Sequence, residues 1–371
     1  MSEIYSIDFI NPGEVDAISD DKVIPPAYRT VQNKQPIPAG TIYKRNAIPS
    51  TQLVSAAANL DTQLISPIDI KCIGSEEIAI AAVFEVTSTT CTFYKYDSGW
   101  GVLGGGGLTT TAEDGIYYVT NAIDSSNVNQ LIAVKYSPNA EVCCYAFDKD
   151  YAQKTFDANG TVNIRTLNWR SSACASFHQG KLWVGGLNEH DYSTFVAPGG
   201  AGLIDEDLDA TEVDVTVDAS HGVVAHNLIR VDNEDMYVSS VATNVLTVVR
   251  GVNGSIATTH ENNTAFTLST GSASQKRNRV RWSKTFNWDS DISSWTGAGT
   301  GYMDFPVIGE IPAVVGLQSF KNRLYVLTNS DLYVISGETS AQYGKHEVVA
   351  TPGAIGTTLK KSEKFMFWVD A

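Results

Sequence analysis

A chain of 371 residues with 43% hydrophobic and 10% aromatic residues is too apolar for a disordered protein, and it can bury a sizeable core in two or three domains or in one large all-β domain. Its 26 Lys+Arg against 41 Asp+Glu leave a net charge of -15, which sets the surface as a whole against nucleic acid and anionic lipid and confines any DNA contact to a local patch. The five cysteines, Cys72, Cys91, Cys143, Cys144 and Cys174, are odd in number and lack CxxC or zinc-type spacing, so buried thiols from a reducing cytoplasm are expected.

At the start of the chain, MSEIYSIDFINPGEVDAISDD places acids where a signal peptide needs bases and has no apolar stretch for export. No window reaches the roughly 18 consecutive apolar residues of a membrane span. Synthesis and folding in the cytosol, with no membrane span, are therefore expected. Six of the twelve prolines fall before residue 60. Proline removes a backbone donor and fixes φ, so residues 1–61 are expected to form an extended N-terminal arm lying along other surfaces.

From residue 62 onward the chain reads as short β-branched and aromatic runs separated by Gly, Asn, Asp and Ser clusters. They fall at 77–86, 90–96, 115–120, 130–136, 142–147, 174–184, 280–283, 323–327, 331–335 and 364–369, while helix-period segments are almost absent. The fold class is all-β. Two runs share a grammar: Ser172-Ala-Cys-Ala-Ser-Phe-His-Gln-Gly-Lys-Leu-Trp-Val-Gly and Val314-Val-Gly-Leu-Gln-Ser-Phe-Lys-Asn-Arg-Leu-Tyr-Val-Leu. Each has an apolar strand ending in Phe, a polar turn, then a basic residue and Leu-aromatic-Val. A degenerate third copy spans 355–369. Such recurrence points to β-propeller blades, small sheets whose apolar faces are covered by sibling sheets, more than to a sandwich.

Residues 209–270 stand apart as a small inserted, barrel-like β-module, with strand patterns at 212–217, 228–231, 236–241, 245–250 and 265–268. The Gly-rich stretch 197–202 and the Ser-rich stretch 269–274 bracket it like hinges. Blades are then expected over 62–208 and 271–371.

The chain carries no GxSxG, GxxxxGK[ST] or HExxH motif and no His/Cys cluster, so the sequence gives no reason to read it as an enzyme, and no cofactor or metal is expected. The run 104–107 of four glycines lacks the Lys-Ser/Thr and helix that a phosphate cradle needs, and reads as a loop. Acids at 205–209 could offer hard oxygens to calcium, but they lack the turn glycine and closing Glu of an EF-hand loop and read as a solvated linker. The six histidines are scattered, with His178 placed in a hairpin turn.

The sharpest charged feature is Lys276-Arg-Asn-Arg-Val-Arg-Trp-Ser-Lys284, with five bases among nine residues. On a strand, Arg277, Arg279 and Arg281 would line one face while Val280 and Trp282 line the other. The plain reading is ion pairing of Lys276, Arg277, Arg279, Arg281 and Lys284 with acids of neighbouring subunits or of the module. The functional reading is a set of guanidinium groups contacting DNA phosphate.

Asn227-Leu-Ile-Arg-Val-Asp-Asn-Glu-Asp-Met-Tyr-Val, followed by Leu246-Thr-Val-Val-Arg-Gly-Val-Asn-Gly-Ser-Ile-Ala-Thr-Thr-His260, resembles a small β-module that recurs in bacteriophage tail proteins. Arg279-Val-Arg-Trp-Ser283 with Trp295, the blade hairpin beginning at Gly316, and Gly40-Thr-Ile-Tyr-Lys-Arg45 resemble parts of the nozzle or tail-hub propeller proteins of short-tailed bacteriophages, the packaged-DNA stabilisation type. The resemblance implies a virion tail component made in the host bacterial cytoplasm. It also implies a ring of copies beneath portal or adaptor proteins that continues the channel for double-stranded DNA and retains packaged DNA until ejection. Those proteins continue into further blades beyond the point that matches 367–371, so an incomplete wheel is expected from this chain. An acidic wall would repel the duplex and let it slide. The alternative is a tail-associated receptor or glycan binder using exposed Trp100, Trp288 and Trp295.

Overall fold

The computed structural model describes residues 34–36, 42–44, 63–65, 69–350, 360–361 and 366–367, with breaks at 86–89, 97–99, 105–107, 110–116, 138–143, 158–163, 167–168, 290–291 and 307–312. The described residues are all-β, arranged as several small antiparallel sheets, with a single short 3-10 turn at Ile292–Trp295. Most of the N-terminal arm expectation lies outside them. Within that region Lys34–Pro36 pairs antiparallel with Ile42–Lys44.

Four sheets follow one another along the chain. The first combines Asp69–Ile73, Glu76–Glu85, Thr90–Tyr96 and shorter edge strands. The second is a meander of Tyr118–Ile123, Asn129–Val134, Cys144–Phe147 and Gln153–Asp157, extended by Ile164–Arg165 in parallel. In the third, Trp169–His178 and Lys181–Asp191 are continued by Ser272–Trp282 and Gly301–Asp304. The fourth is the meander Val314–Phe320, Arg323–Thr328, Asp331–Ser336 and Gly344–Ala350.

The two hairpins with a shared sequence grammar occupy equivalent places, opening the third and fourth sheets. Their turns, Gln179-Gly180 and Lys321-Asn322, have positive φ at both central residues, at 49° and 71° and at 47° and 59°. That backbone matches the right-handed twist of the strands it joins. His178 is therefore the last strand residue, paired with Lys181, and not part of the turn. The segment 355–369 lies mostly outside the described residues, which include the pair Lys360–Lys361 and Met366–Phe367.

The second and third sheets are apolar on both faces because each is covered twice. Ile80, Phe93 and Leu103 of the first sheet pack with Leu131, Tyr145 and Phe147 of the second. The opposite face of the second, with Ile132, Val134 and Ala146, packs on Trp169, Ala175, Leu182 and Val184 of the third. Trp183, Val280 and Trp282 then turn away to meet Leu317, Leu324 and Val326 of the fourth. This double cover explains why Lys181–Asp191 is buried from end to end except for its last residue. Truncating a fully buried Trp such as Trp183 to Ala in such a layer costs about 3–5 kcal/mol.

The opening strands of successive sheets lie close together. Ser176 Oγ of the third sheet accepts the Ser319 N–H of the fourth at 3.1 Å, and His178 Nδ1 lies 2.9 Å from Ser319 Oγ. Tyr118, on the opening strand of the second sheet, reaches past the third and donates its hydroxyl to the Leu317 carbonyl of the fourth at 2.8 Å.

Between Asp191 and Ser272, which pair directly, the chain makes a separate five-stranded antiparallel sheet. Its strands are Asp214–Thr216, Leu228–Val231, Glu234–Ala242, Val245–Val252 and Phe266–Ser269 around a core of Val215, Ile229, Met236, Val238, Leu246 and Phe266. The stretches read as hinges are tied down. Val196 and Leu203 bridge to Leu268 and Ala265, and Ser272 begins a strand. A shared cluster of Tyr192, Leu228, Tyr237, Val252 and Ile292 packs this sheet against the third.

Other sequence expectations also change. Cys91, Cys144 and Cys174 are buried, with burial pushing the Cys91 thiol up to about 12, but Cys72 is only half-buried and Cys143 lies outside the described residues. The acids at 205–209 are solvated, with Asp205, Asp207 and Asp209 exposed, but three of them are also staples: Glu206 accepts the Thr216 N–H, Asp207 accepts that of Asn262 at 2.8 Å, and Asp209 accepts those of Thr211 and Glu212. Trp288 and Trp295 are buried, with Trp169 and Phe156 rings against them, so neither offers a face to a sugar. The side chain of Trp100 lies outside the described residues.

Candidate functional site

The basic run lies on Ser272–Trp282, the third strand of the third sheet, between Lys181–Asp191 and Gly301–Asp304. Val280 and Trp282 enter the core shared with the fourth sheet, as alternation requires. A bulge interrupts the register: Val280 pairs with Gly185 and Lys276 with Leu187, so residues 277–279 face the single residue Gly186. Gly186 has a φ of +69°, and a Cβ there would lie 2.4 Å from the Val314 carbonyl oxygen, so glycine is required where the strand bends.

The bulge separates the three arginines. Arg279 and Arg281 converge on Glu189 of the neighbouring strand, whose side chain is 3% exposed. Arg279 donates to Glu189 Oε2 at 2.9 Å and grips Asp304 with a two-pronged bond at 2.6 and 2.7 Å. Arg281 donates to both Glu189 oxygens at 2.5 and 3.2 Å. Both guanidiniums also lie against the ring of Tyr302, at 3.9 and 5.0 Å from its centroid. Arg277 instead lies 4.9 Å over the Tyr136 ring and is exposed. Lys284 falls beyond the strand, in a tight turn where it bridges Asn287.

The charges stabilise one another. Burial works against the Arg279 charge, but its bond to Asp304 and the Glu189 charge outweigh that, so it holds its proton more tightly than a free guanidinium. Asp304 is correspondingly held below the usual carboxylate range, chiefly by the bond from Arg279. Two guanidiniums facing two carboxylates leave this group electrically balanced. A phosphate reaching Arg279 or Arg281 would have to displace Glu189 or Asp304. Lys276, Arg277 and Lys284 are the members of the run that no described ion pair holds.

These residues line a cleft of about 610 Å³ between the third sheet and the module, with Lys276, Arg279, Arg281 and Tyr302 on one side and Asn253 to Ile256 on the other. His190 and Asp191 also line it. Burial and then the Arg170 charge push the His190 imidazole down to about 3, so at neutral pH it is uncharged and its Nε2 accepts the Arg170 Nε–H. Hydrogen bonds from the Ser193 hydroxyl and backbone hold Asp191 below its usual range. The rim carries exposed apolar surface, Ile256 from the module and Tyr302 from the sheet.

A second polar group sits inside the module. Arg250 grips Glu234 at 2.7 and 2.8 Å and donates to the Asp209, Glu212 and Thr258 carbonyls. Glu234 also takes the Gly251 and Thr258 N–H groups, and His260 lies 2.9 Å from it and from Asp232. This network binds the return loop to the sheet and accounts for the Arg-Gly-Val-Asn-Gly and His260 elements structurally.

Sequence reasoning missed Glu189, Asp304 and Tyr302. Glu189 had a signal, an acid two residues beyond the apolar run Leu182 to Leu187 of its own strand. Asp304 had none, because its role depends on the register with Arg279. No protein-family model matches the chain, and no curated protein matches it at a significant level.

Proposed function

We propose that the chain is a structural protein of a bacteriophage tail, a β-propeller whose copies form an oligomeric nozzle or hub ring that continues the DNA channel and retains packaged DNA until ejection. The observation that carries this reading is the fan of sheets. Four consecutive sheets stack face to face while their opening strands draw together, close enough for Tyr118 to reach Leu317 across an intervening sheet. Meanders that splay from a common edge are the building plan of a propeller.

The sequence resemblance supplies the setting: a virion tail, neighbouring copies of the same chain, portal or adaptor proteins above, and duplex DNA in the lumen. The net charge of -15 suits a wall along which DNA slides, with Lys276 and Arg277 as local phosphate contacts. The burial of Trp288 and Trp295 removes two of the three aromatic faces on which a glycan-binding reading rests.

Electron microscopy of purified phage particles, with mass spectrometry of their protein content, tests the proposal. The expected result is a ring on the tail axis containing this chain. A protein found in infected-cell lysate but in neither the virion nor any ring assembly refutes it.

A further inference from the structure

A pair of carboxylates away from the cleft lies where the second and third sheets meet. Asp124 opens the turn between Tyr118–Ile123 and Asn129–Val134, and its Oδ1 accepts the N–H groups of Ser126 and Val128 at 2.9 and 2.8 Å. Its Oδ2 accepts the Gln130 side-chain amide at 2.6 Å. Asp289 comes to the same turn from the loop that follows Ser272–Trp282, and its carboxylate accepts the Ser125 N–H. The adjacent Trp288 donates its indole N–H to the Ile123 carbonyl at 2.8 Å, so the two segments are held together independently of the acids.

Among the described residues, two oxygen atoms here are buried and find no donor. Gln130 is 1% exposed, and its Oε1 has no hydrogen-bond partner although its amide nitrogen is bound to Asp124. Asp289 Oδ1 is also buried without a partner. An orphaned buried acceptor is destabilising, and more so when charged. Two carboxylates and an amide oxygen with spare lone pairs call for a cation that prefers hard oxygen ligands and tolerates irregular geometry, which describes Ca²⁺ better than Mg²⁺ or Zn²⁺.

We propose that Asp124, Gln130 and Asp289 form a Ca²⁺ site that clamps the 124–128 turn of the second sheet to the loop leaving the third. The remaining coordination positions belong to water and backbone carbonyls. The site is independent of the tail assignment.

The test uses the full-length protein after chelation with EDTA. Ca²⁺ at about 5 mM is expected to raise Tm by roughly 3–6 °C, and Mg²⁺ at the same concentration by much less. Tb³⁺ is expected to luminesce on Trp excitation, because Trp288 adjoins Asp289. Asp289→Asn should abolish both signals. In EDTA it should be as stable as the parent or more so, since it removes a like-charge pair; a merely structural Asp would instead lose stability. No Ca²⁺ shift in the parent protein, or a shift that persists in both Asp289→Asn and Asp124→Asn, overturns the assignment. The first outcome leaves the orphaned oxygens to buried water, and the second places the ion elsewhere.

Discussion

Replacing Glu189 by Gln keeps the side-chain volume and removes the charge that holds two guanidiniums. Arg279 and Arg281 are 12% and 11% exposed at their side chains, so neither can turn fully into water when the carboxylate is lost. Removing one partner of a buried ion pair costs about 3–5 kcal/mol because the other charge stays buried. Asp304 still grips Arg279 and the cleft admits water, which places Glu189→Gln near the lower end, about 3 kcal/mol. Asp304→Asn, at a carboxylate 45% exposed, should cost below about 1 kcal/mol. Equilibrium denaturation followed by tryptophan fluorescence measures both, since Trp183 and Trp282 lie 4.8 Å apart beneath the same strands. The triple change Glu189→Leu, Arg279→Met, Arg281→Leu should be neutral or stabilising, by up to about 4 kcal/mol. Equal losses for Glu189→Gln and Asp304→Asn would refute the reasoning, because solvent and not Glu189 would then be neutralising the arginines.

Three further predictions use the same reasoning. Burial pushes His178 down to about 4 and His190 to about 3, so the unfolded chain binds more protons at acid pH; stability is complete above about 6.5 and falls on acidification. Between pH 7 and pH 5 each histidine should contribute about 2 kcal/mol of loss, and a flat denaturation profile, or one unchanged by His178→Asn with His190→Asn, counts against it. In the module, Arg250→Ala strands the fully buried Glu234 and should cost about 3–5 kcal/mol, with faster amide exchange confined to residues 209–262; exchange rising equally in all sheets would show that the network is not local. Gly186→Ala drives a Cβ into the Val314 carbonyl and should cost more than about 2 kcal/mol, whereas Gly254→Ala, with φ +86° and open space, should cost about 1 kcal/mol; similar Tm values for the two would remove the case for a required glycine at the bulge.

Strands were legible in the sequence where local pattern decides them. The run 90–96 coincides with Thr90–Tyr96, and the Phe-turn-Leu-aromatic-Val grammar marks the opening hairpins of the third and fourth sheets because their tight turns need Gly or Asn beside polar residues. Strands such as Gln153–Asp157 and Gly344–Ala350 lack a clear apolar run and owe their place to pairing with a well-patterned neighbour. The run 280–283 proved to be the end of Ser272–Trp282, whose polar first half no β-propensity would find. The charged group was half legible. Alternation correctly separated Val280 and Trp282 from Arg279 and Arg281, but a bulge opposite Gly186 is invisible locally and sent Arg277 to Tyr136. The acids that meet the arginines come from the same sheet, brought in by register over long sequence separation. The aromatics Trp288 and Trp295 looked available because loops are usually wet, and packing on Trp169 and Phe156 overrode that.

The direct pairing of Asp191 with Ser272 has a consequence for how the molecule comes off the ribosome. The second sheet can close soon after its own residues emerge, since neighbours in the chain are neighbours in the sheet. The third cannot: its opening hairpin must wait, one edge bare, until the whole of residues 192–271 has been made. During that interval the unpaired backbone of Lys181–Asp191 is an open template for wrong partners. The early collapse of the intervening domain, drawing its two ends together, sets how long that hazard lasts.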